Sequence, residues 1–209
     1  MGELLFKASN VKYKTNLIYN DVKIKQGKVN FIVGESGSGK STFLKLLNRS
    51  INPISGTLSY KGLPLDEYDP ISLRREVSLV SQEVFLFDES ITDNFKTFYS
   101  LRQKPIPDEE YITNITKLCC VNVPLCQIAS TLSGGERQRV YIAIFLSMCP
   151  NVIMLDEPTS ALDETNSHKM MINITNFCKT KDIDLVIVSH NKTIIDEFCE
   201  HKIEIVKEV

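Results

Sequence analysis

The chain has 209 residues, 43% apolar and 24% charged, with 24 Lys and Arg against 26 Asp and Glu for a net charge of −2. That balance describes a globular domain of ordinary size with enough apolar side chains for a core, and it excludes a general nucleic-acid or anionic-membrane binder, which carries a basic excess. No apolar run approaches the ~20 residues of a spanning helix, residues 1–7 lack a signal-peptide design, and six cysteines without zinc spacing point to free thiols in a cytosolic setting.

Leu5, Ala8 and Val11, then Val22 and Ile24, predict short antiparallel strands around a turn at Lys14-Thr15-Asn16. Tyr13 in this region is either a half-buried sheet side chain or a ring on which an adenine stacks, since every base has a π-face. Val29–Val33 predicts a buried strand and Thr42–Leu47 an amphipathic helix. Between them Gly34-Glu35-Ser36-Gly37-Ser38-Gly39-Lys40-Ser41 fits G-x-x-x-x-G-K-[ST], the phosphate-binding loop. Its glycines let several backbone N–H groups face one anion, and the helix start at Ser41 and Thr42 adds partial positive charge at the same point. Lys40 can then reach the β/γ-phosphates of a nucleotide, and the Ser41 hydroxyl can ligate Mg²⁺.

Asn52–Gly56 is a turn signal, followed by a strand at Thr57–Tyr60, a helix at Ile71–Glu76 and a buried strand at Val77–Val80. Gln82 lies just past that strand, where ligands sit in open α/β sheets. It can orient water or touch Mg²⁺, or be a solvated loop side chain. Phe85-Leu86-Phe87 follows, and helical pattern runs from Ile91 to Leu101 and from Asp108 to Cys120, a helical insert in the α/β alternation. Cys119, Cys120 and Cys126 can bind a soft metal or serve as small buried hydrophobes, the latter favoured. Ser133, Gly134, Gly135 and Glu136 carry the capping pattern of a further helix, a second anion-accepting helix start. Val152–Leu155 is an apolar strand ending in Asp156 and Glu157. Beside a phosphate loop, Asp156 fits the acid that acts on Mg²⁺ through Ser41 and water, and Glu157 the general base for an attacking water. Ser160–Asp163 turns into a helix over Glu164–Lys179. Leu185–Val188 is the next buried strand, with Ser189 and His190 at its ligand-side end, and His190 can contact the γ-phosphate.

Taken in order, the phosphate loop, Gln82, Leu132–Glu136, the acidic strand end, Ser160–Asp163 and His190 resemble the ATP-binding-cassette (ABC) family over the whole chain. The resemblance implies an α/β phosphate-loop NTPase core with a parallel sheet, an N-terminal antiparallel β subdomain and a helical insert bearing the signature. As a division of the chain this is a core over 1–82 and 140–209, with the helical subdomain over 83–139. Tyr13 falls where the family has its adenine-stacking aromatic. The family pairs two cassettes head to tail around two ATP, so Ser133, Gly134 and Gly135 are implied to bind the partner's nucleotide, with Asp163 at a two-fold seam. No catalytic position departs from the family pattern. The 50 residues from Gln82 to Leu132 (132 − 82) leave no room for the long coiled coil of chromosome-maintenance members. A single cassette with little after His190 is similar to a transporter subunit, an ATPase peripheral to the inner face of the membrane through a separate multi-span permease. The rival is a mechanical ATPase acting on nucleic acid, which the balanced charge disfavours. Arg74–Gln82 and Thr159–Asn166 look most like bacterial iron-export (Fet-type) subunits. Phe85, Leu86 and Phe87 either plug the insert onto the core or form a groove for a permease helix.

Overall fold

The computed structural model describes residues 3–14 and 17–206. The expected turn at Lys14-Thr15-Asn16 falls partly on Thr15 and Asn16, which lie outside the described residues. Its two flanks do form a hairpin. β1 (Leu4–Tyr13) pairs antiparallel with β2 (Leu17–Tyr19), setting Tyr13 opposite Leu17. β1 also pairs with β3 (Val22–Lys25) and β5 (Ser55–Tyr60), and β6 (Leu63–Pro64) extends the edge. Leu5, Ala8 and Val11 are all buried although their spacing of three does not suit a regular strand. Two register shifts supply the irregularity, one against β3 between Leu4 and Phe6, which holds Leu5, and one against β5 between Ser9 and Lys12, with Asn10 at φ 50°, which turns Val11 back into the core.

The second sheet is wholly parallel. Its order is β10 (His201–Glu204), β4 (Val29–Val33), β9 (Asp184–Val188), β8 (Val152–Asp156), β7 (Val77–Val80). Every residue of β8 and β9 is buried, as expected of strands covered on both faces. Alternate side chains enter two different cores. Val152 and Met154 pack with α1 (Lys40–Leu47) and the antiparallel sheet, while Ile153 and Leu155 pack with α3 (Ile91–Leu101), α4 (Glu109–Leu118), α5 (Gly134–Ser147) and α6 (Glu164–Thr180).

Several helices begin at a side-chain cap, as expected at Ser133. Asp69 caps α2 (Pro70–Glu76), Ser90 caps α3, Asp108 caps α4, and Ser133 with Glu136 completes a reciprocal capping box at α5. The expected edge of the helical subdomain at 139 falls inside α5, which runs unbroken from the signature into the core beside Ile153 and Leu155. Cys119 and Cys120 are buried in that core, and Cys126 is exposed. The short strand β6, α7 (Lys192–Phe198), capped by Asn191, and the edge strand β10 carry no sequence expectation. Phe85, Leu86 and Phe87 divide between their two expected roles. Leu86 is buried in the cluster that the insert shares with the parallel sheet, and Phe87 meets Phe98 of α3 edge to face at 5.7 Å within the insert, whereas Phe85 is 59% exposed.

Candidate active site

The carboxyl ends of β4, β7, β8 and β9 open on one side of the parallel sheet, the side where such sheets bind ligands. The loop from β4 to α1 turns so sharply that a Cβ on Gly34 would stand 2.2 Å from the backbone oxygen of Ile205, and one on Gly39, at φ 97°, would stand 2.6 Å from Tyr19 Oη. Only glycine fits either position. The loop is tied to the antiparallel sheet by Tyr19, whose hydroxyl donates to the Gly39 carbonyl at 2.9 Å. Lys40, 6% exposed, lies across the loop and donates through Nζ to the carbonyls of Gly34 (2.9 Å) and Glu35 (2.8 Å). Burial pulls its ammonium below the ordinary lysine value, against the opposing charges of Glu157 and Asp156.

Two strands away, β8 delivers its acids. Asp156 is 5% exposed. Burial raises its carboxyl above the usual carboxylate range, and a hydrogen bond with Ser41 is the chief opposing influence. Its Oδ1 is buried without a partner. A buried anionic oxygen left unpaired beside a serine hydroxyl is an incomplete oxygen donor set, and it fits Mg²⁺ held partly by substrate phosphates and water rather than by an all-protein cage. No cluster of three or more His, Cys, Asp or Glu able to hold a metal occurs among the described residues. Bound between Ser41 and Asp156, the cation would neutralise phosphate charge.

Glu157 occupies the left-handed region at φ 53°, which a non-glycine residue adopts at a cost. Its backbone is held on both sides. Its N–H donates to Val188 O at 3.0 Å, and its carbonyl accepts from Gln138 Nε2 at 2.9 Å, Ser160 Oγ at 3.1 Å and Ser160 N at 3.3 Å. The side chain carries Oε1 to 3.3 Å from His190 Nε2, an ion-pair distance, yet that oxygen is buried and makes no hydrogen bond. Burial lifts the Glu157 carboxyl above the usual range, with His190 the first influence opposing it. A carboxylate with a raised pKa and a free lone pair facing a cavity is equipped to take a proton from water.

That cavity encloses about 700 Å³. It brings together Ser36, Gly37, Gly39, Lys40, Ser41, Thr42, Gln82, Asp156, Glu157 and His190, ten of the residues singled out from the sequence. Gly34, Glu35 and Ser38 shape the loop behind its wall. Tyr13 is half-buried and does not line the cavity. Its cross-strand partner Leu17 does, and directly opposed residues of an antiparallel pair share a face. Ser133, Gly134 and Gly135 lie outside it, the first two exposed, and Asp163 is exposed as the cap of α6. Sequence reasoning does not reach Leu17, Thr159 and Asn191 in the lining, nor Tyr19 and Gln138 behind it. Only Asn191 leaves a local signal, as a capping residue three before Ile194.

A phosphate loop after one strand and an acid pair at the tip of another, opening on a single cavity, define a phosphate-loop nucleotide-hydrolase domain. The chain belongs to the ABC transporter family, whose sequence profile matches residues 19–160. It is an ABC ATPase domain. It is 37% identical over 172 residues to "Protein STAR1" of Oryza sativa subsp. japonica, covering 82% of this chain and 49% of that protein. It is 31% identical over 187 residues to "Probable iron export ATP-binding protein FetA" of Escherichia coli (strain K12), covering 90% and 82%. Against "Exotoxin translocation ATP-binding protein PaxB" of Pasteurella aerogenes it is 37% identical, yet it spans only 28% of that longer relative. Among solved structures it superposes on cbiO1 from Clostridium perfringens, part of an ABC transporter complex, with TM-score 0.82 at 26% identity, covering 99% of this chain and 88% of that one. It also superposes on a dimeric ATP-binding cassette in a post-hydrolysis state bound to ADP and Pi, with TM-score 0.82 at 25% identity, covering 98% and 97%.

Proposed function

We propose that this chain binds and hydrolyses ATP as one of two identical cassettes and so drives a separate membrane permease. The observation that carries this reading is the division of the site. Lys40, Ser41, Asp156, Glu157, Gln82 and His190 converge on one cavity, while the signature residues Ser133, Gly134 and Gly135 lie outside it at a helix start whose first two residues are exposed. A second copy turned by a two-fold axis lays that exposed helix start over the phosphates held by the first. Lys40 exchanges its two loop carbonyls for phosphate oxygens. Glu157 Oε1 accepts the proton of the attacking water, and His190, half-exposed beside it, hydrogen-bonds the transferred group. Tyr13, on the face of Leu17 at the cavity rim, stacks on the adenine.

Closure around ATP and reopening after hydrolysis supply the permease with two states of different affinity, which is all that coupling requires. No helix among the described residues is long and apolar enough to cross a membrane. The likeness to transporter ATP-binding subunits supports assigning the translocation path to a permease partner and this chain to the membrane's inner face. The cargo reading is iron export. It rests on FetA, whose length the chain spans to 82%, and cellular iron content after deletion of the gene tests it. Glu157→Gln tests the ATPase reading. Turnover falls by roughly 10²–10⁴, the usual worth of a general base, while ATP binding persists and a dimer becomes visible by size-exclusion chromatography. Wild-type turnover in Glu157→Gln refutes the assignment.

A further inference from the structure

The contact between α5 and the backbone of Glu157 has no part in binding nucleotide, yet it joins two functional surfaces. Gln138 is 7% exposed, and its Nε2 donates to the Glu157 carbonyl at 2.9 Å. The other two donors to that carbonyl both come from Ser160, three residues along the same loop. Gln138 is therefore the donor that ties the Glu157 carbonyl to a helix, as Val188 of β9 ties its N–H to the sheet. The tie acts on a residue that needs one, because Glu157 holds a left-handed backbone and a buried Oε1 that makes no hydrogen bond. Release of its carbonyl would let the peptide rotate and swing the carboxylate away.

The other end of the same helix segment is the exposed start at Gly134. Gln138 lies one turn along at i+4, about 6 Å up the axis. Between them, Gly135 touches the turn that follows Glu157: a Cβ there would stand 3.1 Å from Ala161 O and 3.3 Å from Ala161 Cβ. A shift of the helix start is thus felt at Ala161 and, through Gln138, at Glu157.

We propose that Gln138 is a positioning residue for Glu157, through which a nucleotide bound on the Ser133–Gly135 surface by the partner cassette sets the base of this chain's own site. The inference rests on the ATPase reading above. It links the two surfaces within one chain through the Gln138 amide, beside the Gly135–Ala161 contact.

The test is steady-state ATPase activity of the full chain with Gln138→Met, which keeps length and loses the donor, and Gln138→Glu, which keeps shape and sets an oxygen against the carbonyl. Both lower kcat at least tenfold, because misplacement of a reacting group by about 1 Å costs on that scale, while KM for Mg-ATP stays within twofold and the melting temperature close to wild type. In a Glu157→Gln background the Gln138→Met substitution has no further effect, since the residue acts only through Glu157. A normal kcat in both variants overturns the proposal. So does a further tenfold loss in the Glu157→Gln background, or a fall in kcat matched by a rise in KM and loss of folded protein in both variants. Glu157→Gln alone reports on the ATPase reading: if it retains wild-type turnover that reading fails, whereas an impaired Glu157→Gln with normal Gln138 variants removes only the link.

Discussion

Replacing Tyr19 by Phe removes one hydroxyl and leaves the ring in place. That ring is 2% exposed and packs against Phe43 of α1 with centroids 4.8 Å apart, so the substitution opens no cavity of consequence. What it deletes is the hydrogen bond to the Gly39 carbonyl. The carbonyl is not orphaned, because it still accepts from Phe43 N at 2.8 Å. The cost is therefore the net value of one buried hydrogen bond, about 1 kcal/mol, without the added penalty of an unsatisfied acceptor. For a domain of this size that lowers the melting temperature by roughly 2–4 °C. The tether joins the antiparallel sheet to the loop that grips phosphate. If all of that free energy is expressed in loop order, the Kd for Mg-ATP rises about fivefold, the factor that 1 kcal/mol represents. Differential scanning calorimetry and isothermal titration on the same preparation read both numbers. A Tyr19→Phe protein with unchanged melting temperature and unchanged Kd refutes the idea that the sheet holds the loop.

Asp156→Asn removes a carboxylate that burial disfavours. A group whose carboxyl binds its proton more tightly in the folded than in the unfolded chain favours folding in acid and opposes it as pH rises through the folded value. Asp156→Asn therefore melts higher than wild type at neutral pH without nucleotide, the gain fades on acidification toward the ordinary carboxylate range, and hydrolysis is lost; a gain that does not vary with pH refutes the burial argument. Phe87→Ser costs about 2 kcal/mol for a partly buried ring, hence several degrees of melting temperature. Phe85→Ser loses only an edge-to-face contact with Phe87 at 5.0 Å, about 1 kcal/mol, so it melts closer to wild type than Phe87→Ser while weakening co-purification with the permease, and permease binding by Phe85→Ser at wild-type strength removes the docking role from Phe85.

The parts of the site legible in the sequence are those whose chemistry is local. Gly34–Ser41 must turn, donate and end in a helix within eight residues, so its pattern is nearly a drawing of its shape. Ser133 and Glu136 find each other across one helical turn, and Asp156 and Glu157 end a strand too apolar to be anything else. What stayed hidden depends on pairs far apart in the chain. β10 contains four residues of which only Ile203 is buried, and it is a strand because β4 offers it a free edge. α7 likewise buries only Ile194 fully. The Tyr19–Gly39 and Gln138–Glu157 contacts span 20 and 19 residues, and the motifs beside them do not say which distant group each side chain meets. The division of Phe85, Leu86 and Phe87 between solvent and core is set by where α3 comes to lie, which three consecutive apolar letters do not record.

The β10 edge bears on how the molecule comes into being. Ile205 donates its N–H to the Val33 carbonyl at 2.8 Å, and its own oxygen occupies the space that a side chain at Gly34 would need. The first glycine of the phosphate loop is thus walled in by a residue 171 positions later (205 − 34). On a ribosome adding residues one at a time, the loop is made long before its wall and waits for it through the synthesis of those intervening residues. Pairings so distant in sequence form slowly. The nascent phosphate cradle therefore stays half-built until the segment around Ile205 docks beside β4.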